Sequence, residues 1–159
     1  MLKRVLFLLF FICQAMASFT TTSAVQTLTI VVVGGTDSVS FSGDVSRTLY
    51  VPQGGFIVDD STTYGYTTGS FGSPRQITAY VQNALPEGLE LSVALDPPAQ
   101  GPISTKQTLS QASSIVLYNI PPNSSMLTGT YRVVYRIRAL NNTPLGLTNV
   151  VVVYTIAES

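Results

Sequence analysis

Apolar and polar residues alternate with a period of two along much of the chain. From Gly129 onward, Tyr131, Val133, Tyr135, Ile137 and Ala139 fall on one face and Arg132, Arg136 and Arg138 on the other, as in a strand with one buried and one wet side. Residues 150–156 are apolar on both sides until Thr155, which predicts a strand covered more completely. Asn141, Asn142, Pro144 and Gly146 lie between these limbs and allow reversal, so the pattern predicts a C-terminal β-hairpin with a long connection. Leu89, Leu91, Val93 and Leu95 form another inward row, stopped by Asp96-Pro97-Pro98 because consecutive prolines lack the donors that a central strand requires. Residues 27–33 alternate as well, with Leu28, Ile30 and Val32 on one face and Gly34-Gly35 as the terminator.

Shorter segments complete the set: 39–41, 48–51, 56–58, 76–81 and 115–118 as strands, and 108–110 as a marginal edge. Met126 and Leu127 are expected to anchor a loop to the core. No long amphipathic helix follows the N-terminal region. About seven to nine short strands with regularly spaced turns predict an all-β, antiparallel β-sandwich whose inner faces share one core. The alternative is a transmembrane β-barrel, for which several segments fall short of the roughly 9 to 11 residues per spanning strand.

The first residues read as an export signal. Lys3 and Arg4 precede an apolar run from Val5 to Cys13, and Ala15-Met16-Ala17 supplies a small-x-small cleavage site. The apolar run is shorter than the roughly 20 residues a membrane-spanning helix needs, so the mature chain is expected to carry no transmembrane helix. The domain reading is therefore a signal peptide at 1–17, a flexible segment at 18–26, and a single β-sandwich domain at 27–159. A later cut after Ala24 is the alternative boundary. Cys13 lacks the small residues that precede a lipidated cysteine and is discarded with the signal, which leaves the mature chain without a disulfide. Removing Lys3 and Arg4 from eight basic residues leaves six against eight acidic ones, a formal charge of −2. That balance gives no electrostatic case for nucleic acid. Only 10% of the sequence is charged, so much of the surface must be Ser, Thr, Asn, Gln, Gly or Tyr.

Candidate chemistry is sparse. There is no histidine, and no cysteine after processing, so Ser-His-Asp and Cys-His arrangements and the common Cys/His zinc sites are absent. Asp59-Asp60 alone does not make a calcium shell. The chain is expected to be neither an enzyme nor a holder of a cofactor or metal. The polar stretch from Asp59 to Pro74 is the candidate ligand-facing loop, with Tyr64 and Tyr66 to stack on a sugar and Asp59 and Asp60 to accept hydrogen bonds; its composition equally suits a solvated connection whose aromatics cover core edges. Arg132, Arg136 and Arg138 form a row that suits an acidic partner or a solvent-facing strand. Asn123-Ser124-Ser125 and Asn141-Asn142-Thr143 match the N-glycosylation acceptor pattern.

The export signal, the early strand, the row from Leu89 to Leu95 and the Gly129-Thr130-Tyr131 region together resemble secreted bacterial immunoglobulin-like domains of the fimbrial and spore-coat-U class, across most of residues 27–157. The missing cysteine pair departs from many fimbrial domains. The resemblance implies an immunoglobulin-like sandwich that is secreted or on the cell surface, periplasmic before assembly, and built into a pilus, filament or coat by self-association or with related subunits. The physical route is β-strand complementation, in which one molecule's strand satisfies another's free sheet edge, and Leu28, Ile30 and Val32 are the candidate inserted row. The alternatives are that this strand stays in its own domain, or that the protein is a monomeric adhesin binding glycan through residues 59–74.

Overall fold

The computed structural model describes residues 23–33, 37–43, 45–141 and 147–159. They form eleven strands, numbered in chain order, in two sheets. The six-stranded sheet has the order β3 (Ser46–Pro52), β1 (Ser23–Val33), β11 (Leu147–Glu158), β5 (Arg75–Val81), β9 (Ser114–Ile120) and β7 (Ile103–Ser104). The five-stranded sheet has the order β2 (Ser38–Gly43), β4 (Phe56–Thr67), β10 (Ser125–Ala139), β6 (Leu89–Leu95) and β8 (Gln107–Thr108). Neighbouring strands run antiparallel except β1 and β11, which are parallel. Both sheets end in edges and neither closes, so the fold is a β-sandwich and the barrel alternative is overturned. The count exceeds the expected one in part because β7 has only two residues, too short to leave a periodic pattern; β8, equally short, overlaps the marginal edge expected at 108–110.

The core forms where the inner rows meet. Leu89, Leu91, Val93 and Leu95 of β6 face inward as predicted and lie in register with Ala139, Ile137, Tyr135 and Val133 of β10. Opposite them the larger sheet contributes Ile77, Ala79 and Val81 from β5 and Val150, Val152, Tyr154 and Ile156 from β11. Each fully buried aliphatic side chain of this kind contributes about 1.5–3 kcal/mol. The two-sided apolar character of residues 150–156 follows from the position of β11 inside its sheet, flanked by β1 and β5.

Three expectations need correction. The terminal limbs do not form a hairpin: β10 and β11 belong to different sheets and face each other across the core, because the places beside β10 are filled by β4 and β6 and those beside β11 by β1 and β5. Their connection, 142–146, lies outside the described residues, as do the signal peptide and 18–22. Residues 23–26, expected to be flexible, begin β1 and pair with β3 from Ser23↔Pro52 to Gln26↔Leu49. The third correction concerns residues 59–74. Asp59 to Thr67 is not loop but the greater part of β4, paired with β2 on one side and β10 on the other. A β-bulge explains the missed strand: Thr62 and Asp59 align with Val133 and Tyr135, so two residues of β4 oppose one of β10. The inward set shifts from odd to even numbers there, which breaks the alternation.

Candidate functional site

The bulge decides what the proposed ligand loop presents. After it, Tyr64 (0% exposed) and Tyr66 (5% exposed) point into the core. The Tyr64 hydroxyl donates to the Asp96 carbonyl at 2.6 Å, and burial pushes both phenols above the usual tyrosine range. Neither can stack on a sugar, so that expectation is corrected. Asp59 is half-buried and accepts from the guanidinium of Arg47 on β3. Arg47 also donates to the Thr62 hydroxyl at 2.8 Å, and its guanidinium carbon stands 5.8 Å from the Tyr135 ring centroid. This pair ties the edge of the larger sheet to β4 in the smaller one. Asp60 alone of the four is open to solvent, where it accepts from Arg132 at 2.5 Å; both side chains are more than half exposed, so the pair adds little stability. Of the original loop, residues 68–74 remain a connection, with Phe71 exposed. Met126 is half-buried against the core as expected, whereas Leu127 is exposed and anchors nothing.

Arg132, Arg136 and Arg138 do share the outer face of β10. The structure brings two of them together with groups that the sequence does not connect to them. Register sets Arg138 beside Glu90 and Arg136 beside Ser92 on β6, and Ser92 beside Thr108 on β8. With Lys106, these six residues line a cleft of about 110 Å³ on the outside of the five-stranded sheet. Arg136 also lies over the exposed ring of Phe56, its guanidinium carbon 4.1 Å from the centroid. Ser92 is only 6% exposed at the cleft, although it sits on the outer side of its strand.

Arg75 is a central polar residue that composition alone does not mark. It is buried at the start of β5, yet its guanidinium reaches the Asp37 carboxylate at 2.7 Å, the Phe71 carbonyl at 2.8 Å, the Ser73 carbonyl and, at 3.2 Å, Glu158. Asp37 accepts in addition from the Gly69 amide at 2.7 Å. That backbone hydrogen bond, followed by the one from Arg75, holds the Asp37 carboxyl below its ordinary range. Parity is the signal that finds both inward-facing arginines, Arg75 buried and Arg47 half-buried: stepping back by two from Ile77 reaches Arg75, and from Val51 and Leu49 reaches Arg47. Both knit the framework and leave no open coordination or reactive geometry.

Leu28, Ile30 and Val32 lie on β1 as the alternation predicts, in register with Val150, Val152 and Tyr154 of β11. Among the described residues, no group of three or more His, Cys, Asp or Glu is arranged to hold a metal ion, and no helix is long and apolar enough to cross a membrane. Neither a protein-family model nor a curated protein matches the chain.

Proposed function

We propose that the mature chain is a non-enzymatic, secreted or cell-surface structural subunit that joins its neighbours by β-strand complementation, in line with the fimbrial and coat-protein resemblance. One observation supports the reading above the others. β1 runs between β3 and β11, parallel to the last strand of the chain, and the sheet order puts no other strand between those two. Withdrawing β1 leaves β3 and β11 each with a row of unpaired donors and acceptors, which is the edge that strand addition satisfies. As the first strand among the described residues, β1 is joined covalently to the later strands only beyond Val33. A second copy's residues 28–32 offer the same backbone ladder to the vacated slot, so intramolecular pairing and exchange between subunits use one register.

The absence of cysteine from the mature sequence makes a direct test available. Ile30 and Val152 are register partners, and neighbouring strands bring their Cα atoms within the roughly 4.4–6.8 Å that a disulfide spans. In the Ile30→Cys/Val152→Cys protein, exchange yields covalent ladders on a non-reducing gel of assembled material. Internally cross-linked monomer at every concentration, including material recovered from the native cell surface, eliminates the exchange mechanism.

A further inference from the structure

The described residues contain six cationic side chains, and they divide cleanly. Arg47, Arg75 and Arg132 are each held by an aspartate. Lys106, Arg136 and Arg138 form no salt bridge among the described residues, and all three line the single cleft across β10, β6 and β8. Three positive side chains there face one carboxylate, Glu90. In a chain with so few charges, solvation alone gives no reason for every unpaired cation among the described residues to converge on one place.

The floor of the cleft carries a second, independent observation. Ser92 is buried, lines the cleft, and its hydroxyl makes no hydrogen bond among the described residues. A hydroxyl this shielded without a protein partner is unfavourable, and such groups in folded proteins call for a specific reason. Thr108 stands beside it in register and adds another hydroxyl. Cations around the rim with hydroxyls between them form a receptor for an oxyanion.

The geometry points to a binding site for the carboxylate groups of an acidic polysaccharide. The cleft, at about 110 Å³, admits one such group. Its position leaves little to the backbone: β10 and β6 are each paired on both sides and the edge strand β8 has only two residues, so side chains must make most of the contacts. Glu90 repels a densely charged anion but accepts hydrogen bonds from sugar hydroxyls next to a carboxylate. Val58, exposed on β4 in register with Arg136, adds an apolar contact beside the cleft, while the Phe56 ring stacks under the Arg136 guanidinium. The inference is independent of how subunits join, because the cleft lies in the five-stranded sheet and β1 in the other.

The test uses the full mature protein and immobilised polygalacturonate, with methyl-esterified polygalacturonate and polyglutamate as comparison polymers. Binding to polygalacturonate is expected to weaken with salt, to vanish on esterification, and to exceed binding to polyglutamate. Arg136→Gln and Arg138→Gln should each weaken it about tenfold, the effect of one charge-assisted contact. Glu90→Gln should raise polyglutamate binding and erode the discrimination. Ser92→Ala is the sharpest arm: it should weaken binding while leaving the ligand-free protein as stable as wild type or more so, since an orphan hydroxyl is removed. No binding to polygalacturonate, equal binding to polyglutamate, indifference to the arginine variants, or a Ser92→Ala protein destabilised without ligand would each overturn the site.

Discussion

Tyr135 of β10 and Tyr154 of β11 share a hydrogen bond of 2.7 Å between their hydroxyl oxygens, fully buried between the two sheets. It is a polar contact inside an apolar layer, and each hydroxyl is the other's partner. Removing one hydroxyl therefore leaves its neighbour buried and unpaired, whereas removing both leaves nothing unsatisfied. Tyr135→Phe and Tyr154→Phe should each lower stability by about 1–3 kcal/mol in urea unfolding, and the double variant should lose clearly less than the two losses combined. Strict additivity would mean that the two hydroxyls are not each other's partners.

The same burial governs alkaline behaviour. Desolvation pushes Tyr135 and Tyr154 above the ordinary phenol value of 10.0, and Tyr64 likewise. A phenol whose folded pKa is raised holds its proton more tightly when folded, so its contribution is intact below about pH 10 and is lost as pH rises toward the folded value. Phenolate absorbance from this buried set should then appear only together with loss of the far-UV β signal. Ionisation of Tyr64, Tyr135 and Tyr154 in a protein that keeps its far-UV β signal would contradict this packing.

Acid acts at the opposite end of β5. Asp37 has its carboxyl lowered from the ordinary 3.8 by the Gly69 amide and the Arg75 guanidinium. A depressed folded pKa contributes stability that is present above 3.8 and disappears as pH falls through the folded value. Asp37→Asn should cost about 2 kcal/mol near neutrality through loss of charge-assisted hydrogen bonds, and it should flatten the dependence of the melting temperature on pH below about 4. A variant that keeps the wild-type acid slope would assign that slope to other carboxylates.

Much of this architecture is legible in the residues, and the failures have physical causes. The row from Leu89 to Leu95 and the Arg-bearing limb of β10 read correctly because unbroken ladders keep one parity from end to end. β4 was hidden by its bulge, since a single extra residue swaps the faces and makes Asp59, Asp60 and Ser61 resemble a turn. The same change of parity decides between the two readings of Tyr64 and Tyr66 and turns both inward. The hairpin reading of β10 and β11 failed because alternation reports which face of a strand is buried and says nothing about which strand lies beside it. The cleft was half visible: the arginines stand on one strand, but Ser92, Thr108 and Lys106 join them through pairing between distant segments.

Gly65 lies where the irregular part of β10 folds over β4, and it is buried. A Cβ added there would stand under 3.0 Å from the Met126 carbonyl oxygen, the Thr128 nitrogen and the Leu127 carbonyl carbon. All three are backbone atoms, which cannot swing aside as a side-chain tip can, so Gly65→Ala must displace the strand. Gly129 makes the useful contrast: its φ of 108° favours glycine, but an added Cβ there would meet nothing within 4 Å. Gly129→Ala should cost about 1–3 kcal/mol through backbone strain alone. Gly65→Ala should cost at least as much through overpacking, of order 1–3 kcal/mol or more, and should also disturb the Tyr64 and Tyr66 environments on the same strand. Amide hydrogen exchange distinguishes the two: protection should fall across residues 62–67 in Gly65→Ala and stay near wild type there in Gly129→Ala. Equal protection in both variants would show that β10 can lift away from β4 at this point without cost, and that the close approach does not fix their registry.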